Sequence, residues 1–164
     1  MGYMYIVLPL SCFLRILYFF PKDMSTYGLW WVIYLIASTK ATDTVAFICG
    51  RSMGKNKITP LLSPKKTLEG LIGGWIGGFS TGMAMLYMGK HYLSLTLPLL
   101  PIIILSVALP LCAQLGDLIE SLFKRDASCK DSSVIPGLGG LLDIMDSFII
   151  TAPITYITIE ALYR

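Results

Sequence analysis

Charged residues are scarce in this chain of 164 residues: they make up 14% of it, against 55% hydrophobic residues. A soluble domain carries about 25% charged residues, and the mean hydropathy here is +0.70. This shortage of charge argues against an ordinary soluble domain. We therefore predict an integral membrane protein, in which each helical span needs roughly 20 mostly apolar residues.

Histidine and cysteine are also rare, with one histidine, His91, and four cysteines. No CxxC pair and no Cys/His metal-binding spacing is present. Cys12, Cys49 and Cys112 lie in apolar stretches, where a thiol behaves as a small apolar side chain. We predict neither a disulfide nor a zinc-type site. The first residues lack the basic start and the small-residue cleavage site of a signal peptide.

Five apolar stretches are candidates for membrane-spanning helices. They lie at about residues 3–20, 27–50, 71–88, 97–115 and 140–162. The predicted fold class is an all-α integral membrane protein with about five transmembrane helices, forming a single membrane domain over residues 1–164. Between these spans, two connecting loops carry the conspicuous polar motifs.

Basic residues concentrate in these two loops. The first holds Arg51, Lys55, Lys57, Lys65 and Lys66, and the second holds Lys124, Arg125 and Lys130. Both loops emerge on the same side because two spans separate them. The positive-inside rule makes this side cytoplasmic. A topology signal alone would explain the basic residues, but it would not explain the acids that lie among them.

Three aspartates, Asp131, Asp143 and Asp146, flank the entry to the last span. The i, i+3 spacing of the last two puts their carboxylates on one helical face, where like charges repel. A hard cation explains such a cluster, and Mg²⁺ prefers oxygen ligands. We predict that these aspartates bind Mg²⁺, with Asp43 and Ser133 as further candidates and a second metal ion as an alternative.

Asp43 lies in the second span, three residues after Lys40, so the two share a helical face. Ionisable residues at membrane depth are expensive and usually functional. The alternative is a pair that only holds helices together. Further along, the glycines of GLIGGWIGG predict close helix packing, either in a dimer interface or inside the chain.

The motif SPKKTLEG, residues 63–70, suits a phosphate-rich ligand. Ser63 or Thr67 could cap the next helix, and Glu69 could interact with its first turn. Lys65 and Lys66 stand at the helix start, where free N–H groups favour anions. An ordinary capped loop is the alternative. Downstream, polar residues stripe one helical side; they are Gln114, Asp117, Glu120, Ser121 and Lys124.

The stretch SLFKRDASCKDSSVIPGLGGLLDIMD, residues 121–146, closely resembles the signature of the phosphatidate cytidylyltransferases, also called CDP-diacylglycerol synthases. The blocks DTVAFICGR, SPKKTLEG and GDLIES precede it in family order, so the resemblance covers roughly residues 30–150. Leu138 and Ile144 stand where the family commonly has His and Arg. Family members usually carry more N-terminal spans, so we expect a short or N-terminally truncated member, the C-terminal catalytic portion, with its signature region at residues 114–146.

The resemblance implies transfer of a cytidylyl group from CTP to phosphatidate, giving CDP-diacylglycerol and pyrophosphate, with Mg²⁺ required. The implied setting is a bacterial inner membrane, with membrane lipid around the chain, the site facing the cytoplasm, no nucleic acid and a homodimer as a further expectation. The implied catalytic residues are Lys124, Arg125, Lys130, Asp131, Asp143 and Asp146. The implied substrate-binding residues are Ser63, Lys65, Lys66, Thr67, Glu69, Asp117 and Ser121.

Three other functions are alternatives to this one. A CDP-alcohol phosphotransferase would show Asp-x-x-Asp-Gly followed by Ala-Arg, whereas here Ser147 follows Asp146. A non-enzymatic cation-binding membrane protein would also carry acids in its helices. A truncated, inactive remnant is the third alternative.

Overall fold

The computed structural model describes the backbone of residues 2–59, 63–94, 97–126 and 141–163. Side chains are described for residues 7–58, 66–94, 97–122 and 146–163. Within these ranges the chain forms five α-helices and one antiparallel hairpin, with a short 3₁₀ turn at Lys22–Met24 between the first two helices. The helices are α1 (Gly2–Leu17), α2 (Ser25–Met53), α3 (Leu68–Tyr92), α4 (Leu99–Asp126) and α5 (Leu141–Tyr163). The strands are β1 (Lys57–Thr59) and β2 (Ser63–Thr67).

Each helix falls on one of the five predicted apolar stretches, so the helical part of the prediction is confirmed. Among the described residues, two segments, Lys22–Met53 and Leu99–Leu122, are long and apolar enough to cross a membrane. The exact number of spans stays a prediction. Helix α4 continues to Asp126, past the apolar stretch that ends at about residue 115, as the helical spacing of its polar residues predicted.

The hairpin between α2 and α3 was not predicted, so the fold is helical with one small sheet rather than purely helical. Its strands pair with Lys57 opposite Thr67 and Thr59 opposite Ser63. Thr67 then caps α3, because its hydroxyl accepts a hydrogen bond from the Gly70 N–H at 3.2 Å. Of the two predicted capping residues, Thr67 has this role, whereas Ser63 lies at the start of β2.

Glycines on one face of α3 let it pack directly against the backbone and small side chains of α2. Gly70, Gly74, Gly78 and Gly82 are buried along this face. A Cβ at Gly74 would lie 2.7 Å from the Ala46 Cβ and 2.8 Å from the Thr42 carbonyl oxygen. Of the two predicted uses of these glycines, the structure shows packing within the chain.

The hydrophobic core lies toward the end of the bundle where α1 ends and α2 begins. Trp30, Trp31 and Tyr34 of α2 are buried there, and the rings of Trp30 and Tyr34 stack with centroids 5.4 Å apart. The Tyr34 hydroxyl lies 2.7 Å from the Ser106 hydroxyl of α4. This aromatic core fixes one end of the bundle and leaves the polar residues at the other end.

We expect Gly78→Val to destabilise the protein. A Cβ at this position would lie 2.6 Å from the Pro110 ring and would collide with the Thr42 hydroxyl. Overpacking of this kind costs about 1–3 kcal/mol. The measurement is thermal unfolding in detergent, with Ser80→Val on the exposed side of α3 as the matched control. Equal melting temperatures for the two variants would contradict the close packing of α2 and α3.

Candidate functional site

Three carboxylates converge where α4 meets α5. Asp117 and Glu120 belong to α4, Asp146 belongs to α5, and one oxygen from each lies within 4.8 Å of the others. Glu120 and Asp146 are buried, and Asp117 is half-buried. We call these three residues the acidic cluster. Because it lies among packed helices, its charges are poorly screened by water.

Helical spacing and a glycine bring the acidic cluster together. Asp117 and Glu120 are three residues apart, so they project from the same side of α4. Gly116 faces the backbone of α5, and a Cβ there would lie 2.6 Å from the Asp146 carbonyl oxygen. The absence of a side chain at Gly116 therefore allows α5 to come close enough for Asp146 to join the other two acids.

A cavity of about 760 Å³ lies beside the acidic cluster. It is bounded by the second half of α2, the start of α3, the hairpin, α4 and the first turns of α5. Its polar lining residues are Asp43, Arg51, Lys66, Thr67, Gln114, Asp117, Asp146 and Ser147. The lining of the cavity thus combines carboxylates with two basic side chains, Arg51 and Lys66.

Lys66 enters the cavity from strand β2. Its ammonium nitrogen lies 2.7 Å from Asp117 Oδ2 and is shielded from solvent. This ion pair ties the hairpin to α4 and partly compensates the negative charge of the acidic cluster. An ammonium group has three donors, so Lys66 can contact Asp117 and an anion in the cavity together.

Asp43 is joined to the acidic cluster through a serine. The Ser147 hydroxyl lies 3.1 Å from Asp43 Oδ2 and 3.0 Å from Asp146 Oδ1, and its single proton can serve one of them at a time. The same oxygen, Asp43 Oδ2, also accepts a hydrogen bond from the Lys40 ammonium at 3.2 Å. The predicted Lys40–Asp43 contact is therefore present, and it connects to the site.

The structure brings several sequence-predicted site residues to the cavity and places others away from it. Those at the cavity are Asp43, Lys66, Thr67, Asp117 and Asp146. The Ser121 hydroxyl instead donates to the Asp117 carbonyl oxygen at 2.8 Å, and the Glu69 carboxylate contacts Asn56. Asp117, predicted to bind substrate, lies in the acidic cluster and so among the candidate metal ligands.

Other predicted site residues lie outside what the structure describes. For Lys130, Asp131 and Ser133 this applies to the whole residue, and for Ser63, Lys65, Lys124, Arg125 and Asp143 to the side chain. Their roles stay predictions. Sequence reasoning did not assign Glu120 and Ser147 to the site, nor Arg51 and Gln114, which also line the cavity. The i, i+3 spacing of Asp117 and Glu120 was a signal for the first; Ser147 depends on a contact between α2 and α5.

The acidic cluster suits a hard divalent cation. Three carboxylates offer only oxygen ligands, as Mg²⁺ and Ca²⁺ require, and their mutual repulsion favours a bound positive charge. The residues present therefore fit the predicted divalent metal. The basic groups of the same cavity suit an anion beside it.

The model of the cytidylyltransferase family matches residues 1–162, and the chain belongs to this family. The resemblance seen in the signature stretch is thereby confirmed.

Among curated relatives, the phosphatidate cytidylyltransferase of Chlamydia muridarum is 36% identical over 156 residues, covering 93% of this chain and 51% of that protein. The phosphatidate cytidylyltransferase of Staphylococcus haemolyticus is 45% identical over 128 residues, covering 77% and 48%. The chain spans about half the length of the curated relatives it matches.

The fold is also similar to a solved structure described as an intramembrane enzyme for archaeal membrane lipids biosynthesis. The TM-score is 0.56 at 23% sequence identity, over 77% of this chain and 76% of that one. At this identity the likeness shows the fold alone.

We expect Mg²⁺ to raise the melting temperature of the protein, and Glu120→Gln or Asp146→Asn to abolish that rise. Without metal, each variant should melt no lower than the parent, because removing one carboxylate relieves repulsion in the cluster. Differential scanning fluorimetry in detergent measures both effects. Glu160→Gln, near the far end of α5, is the control and should keep the Mg²⁺ response. A full response in both cluster variants would contradict cation binding there.

Acid should loosen the hairpin through Glu69. Hydrogen bonds from its own backbone N–H, and from Lys55 and Asn56, lower the pKa of the Glu69 carboxyl below its ordinary value of 4.5. A lowered folded-state pKa means that the contact stabilises the hairpin above pH 4.5 and is lost as pH falls through the folded-state value.

The loosening of the hairpin is measured by amide hydrogen exchange of residues 54–59. Protection should fall on acidification in the parent and should be low and unchanged in Glu69→Gln. Equal acid sensitivity in both proteins would show that another group controls the hairpin.

Proposed function

We propose that this protein transfers a cytidylyl group from CTP to phosphatidate, giving CDP-diacylglycerol and pyrophosphate. The observation that carries the proposal is the acidic cluster beside a cavity that also holds Lys66, at one end of a membrane bundle. The names of the curated relatives support the choice of substrates. A cavity of about 760 Å³ is in the size range of small-molecule sites, which run from about 300 to 1,000 Å³.

The chemistry is a substitution at the α-phosphorus of CTP. A phosphate oxygen of phosphatidate forms a bond to that phosphorus, and the bond from it to the oxygen bridging the β-phosphorus breaks. Pyrophosphate leaves with the bonding electrons. Because the nucleophile is already an anion, the protein need not supply a strong base. It must instead bring two anions together and align them.

The side chains present suit this task. Asp117, Glu120 and Asp146 would hold the divalent cation, which we propose to be Mg²⁺, with Asp131 and Asp143 as further ligands of this or a second ion. When bound, Mg²⁺ supplies positive charge that compensates phosphate oxygens. Lys66 and the partial positive charge at the start of α3 would bind the triphosphate.

The remaining predicted residues are assigned by the resemblance. Lys65, Lys124, Arg125 and Lys130 would add positive charge around the phosphates. Ser63, Thr67, Glu69 and Ser121 would shape the substrate site, Thr67 by capping α3 and Glu69 by holding the hairpin at Asn56.

We further propose that the site faces the cytoplasm of a bacterium, with the chain in the inner membrane. CTP is water-soluble, and the hairpin and the ends of α2 and α4 carry the basic residues that the positive-inside rule assigns to that side. The lipid substrate would reach the same site from the bilayer.

The test is Mg²⁺-dependent formation of CDP-diacylglycerol from CTP and phosphatidate by the purified chain in mixed micelles. Lys66→Met should lower kcat/KM for CTP by about tenfold to a hundredfold, since a charged hydrogen bond is lost. Asp146→Asn should lower kcat by at least as much.

Lys57→Met is the matched control, because Lys57 is an exposed lysine of the same hairpin outside the cavity wall. It should retain the parent rate. A folded parent chain that gives no product under these conditions would contradict the proposal and favour the inactive alternative.

A further inference from the structure

The Lys66 ammonium has an unusual environment for a cation. Its nitrogen is shielded from solvent, and its side chain comes from the end of β2, directly before the Thr67 cap of α3. The nitrogen forms an ion pair with Asp117 Oδ2 at 2.7 Å, yet among the described residues it has no hydrogen-bond partner. Attraction between opposite charges is therefore what holds this ammonium at α4.

The acidic cluster explains why the ammonium lies there. A buried ammonium without hydrogen bonds is costly, because its N–H donors have lost water and gained no acceptor. The three carboxylates of the cluster lie within 4.8 Å of one another, and a positive charge beside them offsets their repulsion. Lys66 thus supplies, at the margin of the cluster, part of the positive charge that a bound metal ion would bring.

A metal ion and Lys66 would compete for Asp117. A divalent cation that takes one oxygen from each of three carboxylates gains more than an ammonium that is paired with one of them. The two cations would also repel each other across a shared carboxylate. The lysine can yield, since its ammonium lies on a flexible four-carbon stem and can move while the backbone stays in place.

We propose that Lys66 is a replaceable counter-ion: it pairs with Asp117 while the acidic cluster holds no metal ion, and it leaves Asp117 when a divalent cation binds. The released ammonium would lie beside the start of α3, whose partial positive charge also favours anions. There it binds a phosphate of the nucleotide, so the metal ion has to bind first. This last step rests on the proposed function, whereas the exchange at Asp117 does not.

Labelling of lysines with an amine-reactive acetylating reagent, followed by mass spectrometry, measures the exchange directly. In the metal-free protein Lys66 should react slowly, because its nitrogen is shielded from solvent. Mg²⁺ should speed this reaction by about tenfold or more, as when a minor accessible state becomes the major one. Lys57, an exposed lysine of the same hairpin, should react quickly with and without Mg²⁺. An unchanged rate at Lys66 would overturn the proposal.

Two comparisons exclude a general screening of charge by salt. Sodium chloride at the same ionic strength should leave Lys66 slow to react. Asp146→Asn keeps the pair of Lys66 with Asp117 but removes one carboxylate of the acidic cluster, so Mg²⁺ should not release Lys66 in this variant. Release in either case would show that the pair dissociates without a metal ion in the cluster, and would overturn the exchange.

The exchange also predicts the affinity for Mg²⁺, which isothermal titration calorimetry in detergent measures. Lys66→Met should bind Mg²⁺ about tenfold more tightly than the parent, because no ammonium competes for Asp117. Lys57→Met, which removes an exposed and well-screened charge, is the matched control and should stay within about twofold of the parent. Equal affinity of the parent and Lys66→Met would overturn the competition.

Labelling in the presence of CTP tests the order of binding. With excess Mg²⁺, CTP should make Lys66 slow to react again, whereas CTP without Mg²⁺ should leave the labelling unchanged. Fast labelling with both present would overturn the nucleotide step. None of these measurements needs turnover, so a chain that shows the Mg²⁺ effect but forms no CDP-diacylglycerol would support the exchange and contradict the proposed function alone.

Discussion

The close approach of the helix backbones determines where every polar group of this site can lie. Along α3, buried glycines let its backbone approach α2 and the side chains of α4, and Gly116 lets α4 approach α5. Four helices therefore converge within reach of one another's short side chains. Aspartate and serine have little reach, so contacts such as Ser147 with Asp43 exist only because the backbones come this close.

That proximity has an electrostatic cost, since it gathers Asp117, Glu120 and Asp146 in a poorly hydrated place. The structure offsets part of the cost with lysines at the margins: Lys66 contacts Asp117, and Lys40 contacts Asp43. A fold selected for stability alone would not collect like charges among apolar helices. The proposed cation on the acidic cluster would account for this arrangement, because it would offset the remaining negative charge.

The sequence predicted the parts of this protein that local rules control. Apolar runs located the five helices, the spacing of Lys40 and Asp43 predicted their contact, and Thr67 was one of two expected caps.

The hairpin was missed because a short, basic, proline-containing loop carries little strand signal. Ser147 was missed because its partner on α2 is brought close only by packing of distant segments. Glu120 was visible in the polar stripe of α4, but its proximity to Asp146 depends on Gly116.

The same packing suits the proposed reaction, in which a soluble nucleotide is joined to a lipid. Both substrates would be anions, so the acidic cluster would repel each of them unless positive charge lies beside it. Lys66 of the hairpin contacts Asp117, and Lys40 of α2 contacts Asp43, which Ser147 connects to Asp146. A divalent cation held by the three carboxylates would add to these lysines the positive charge that brings two anions together.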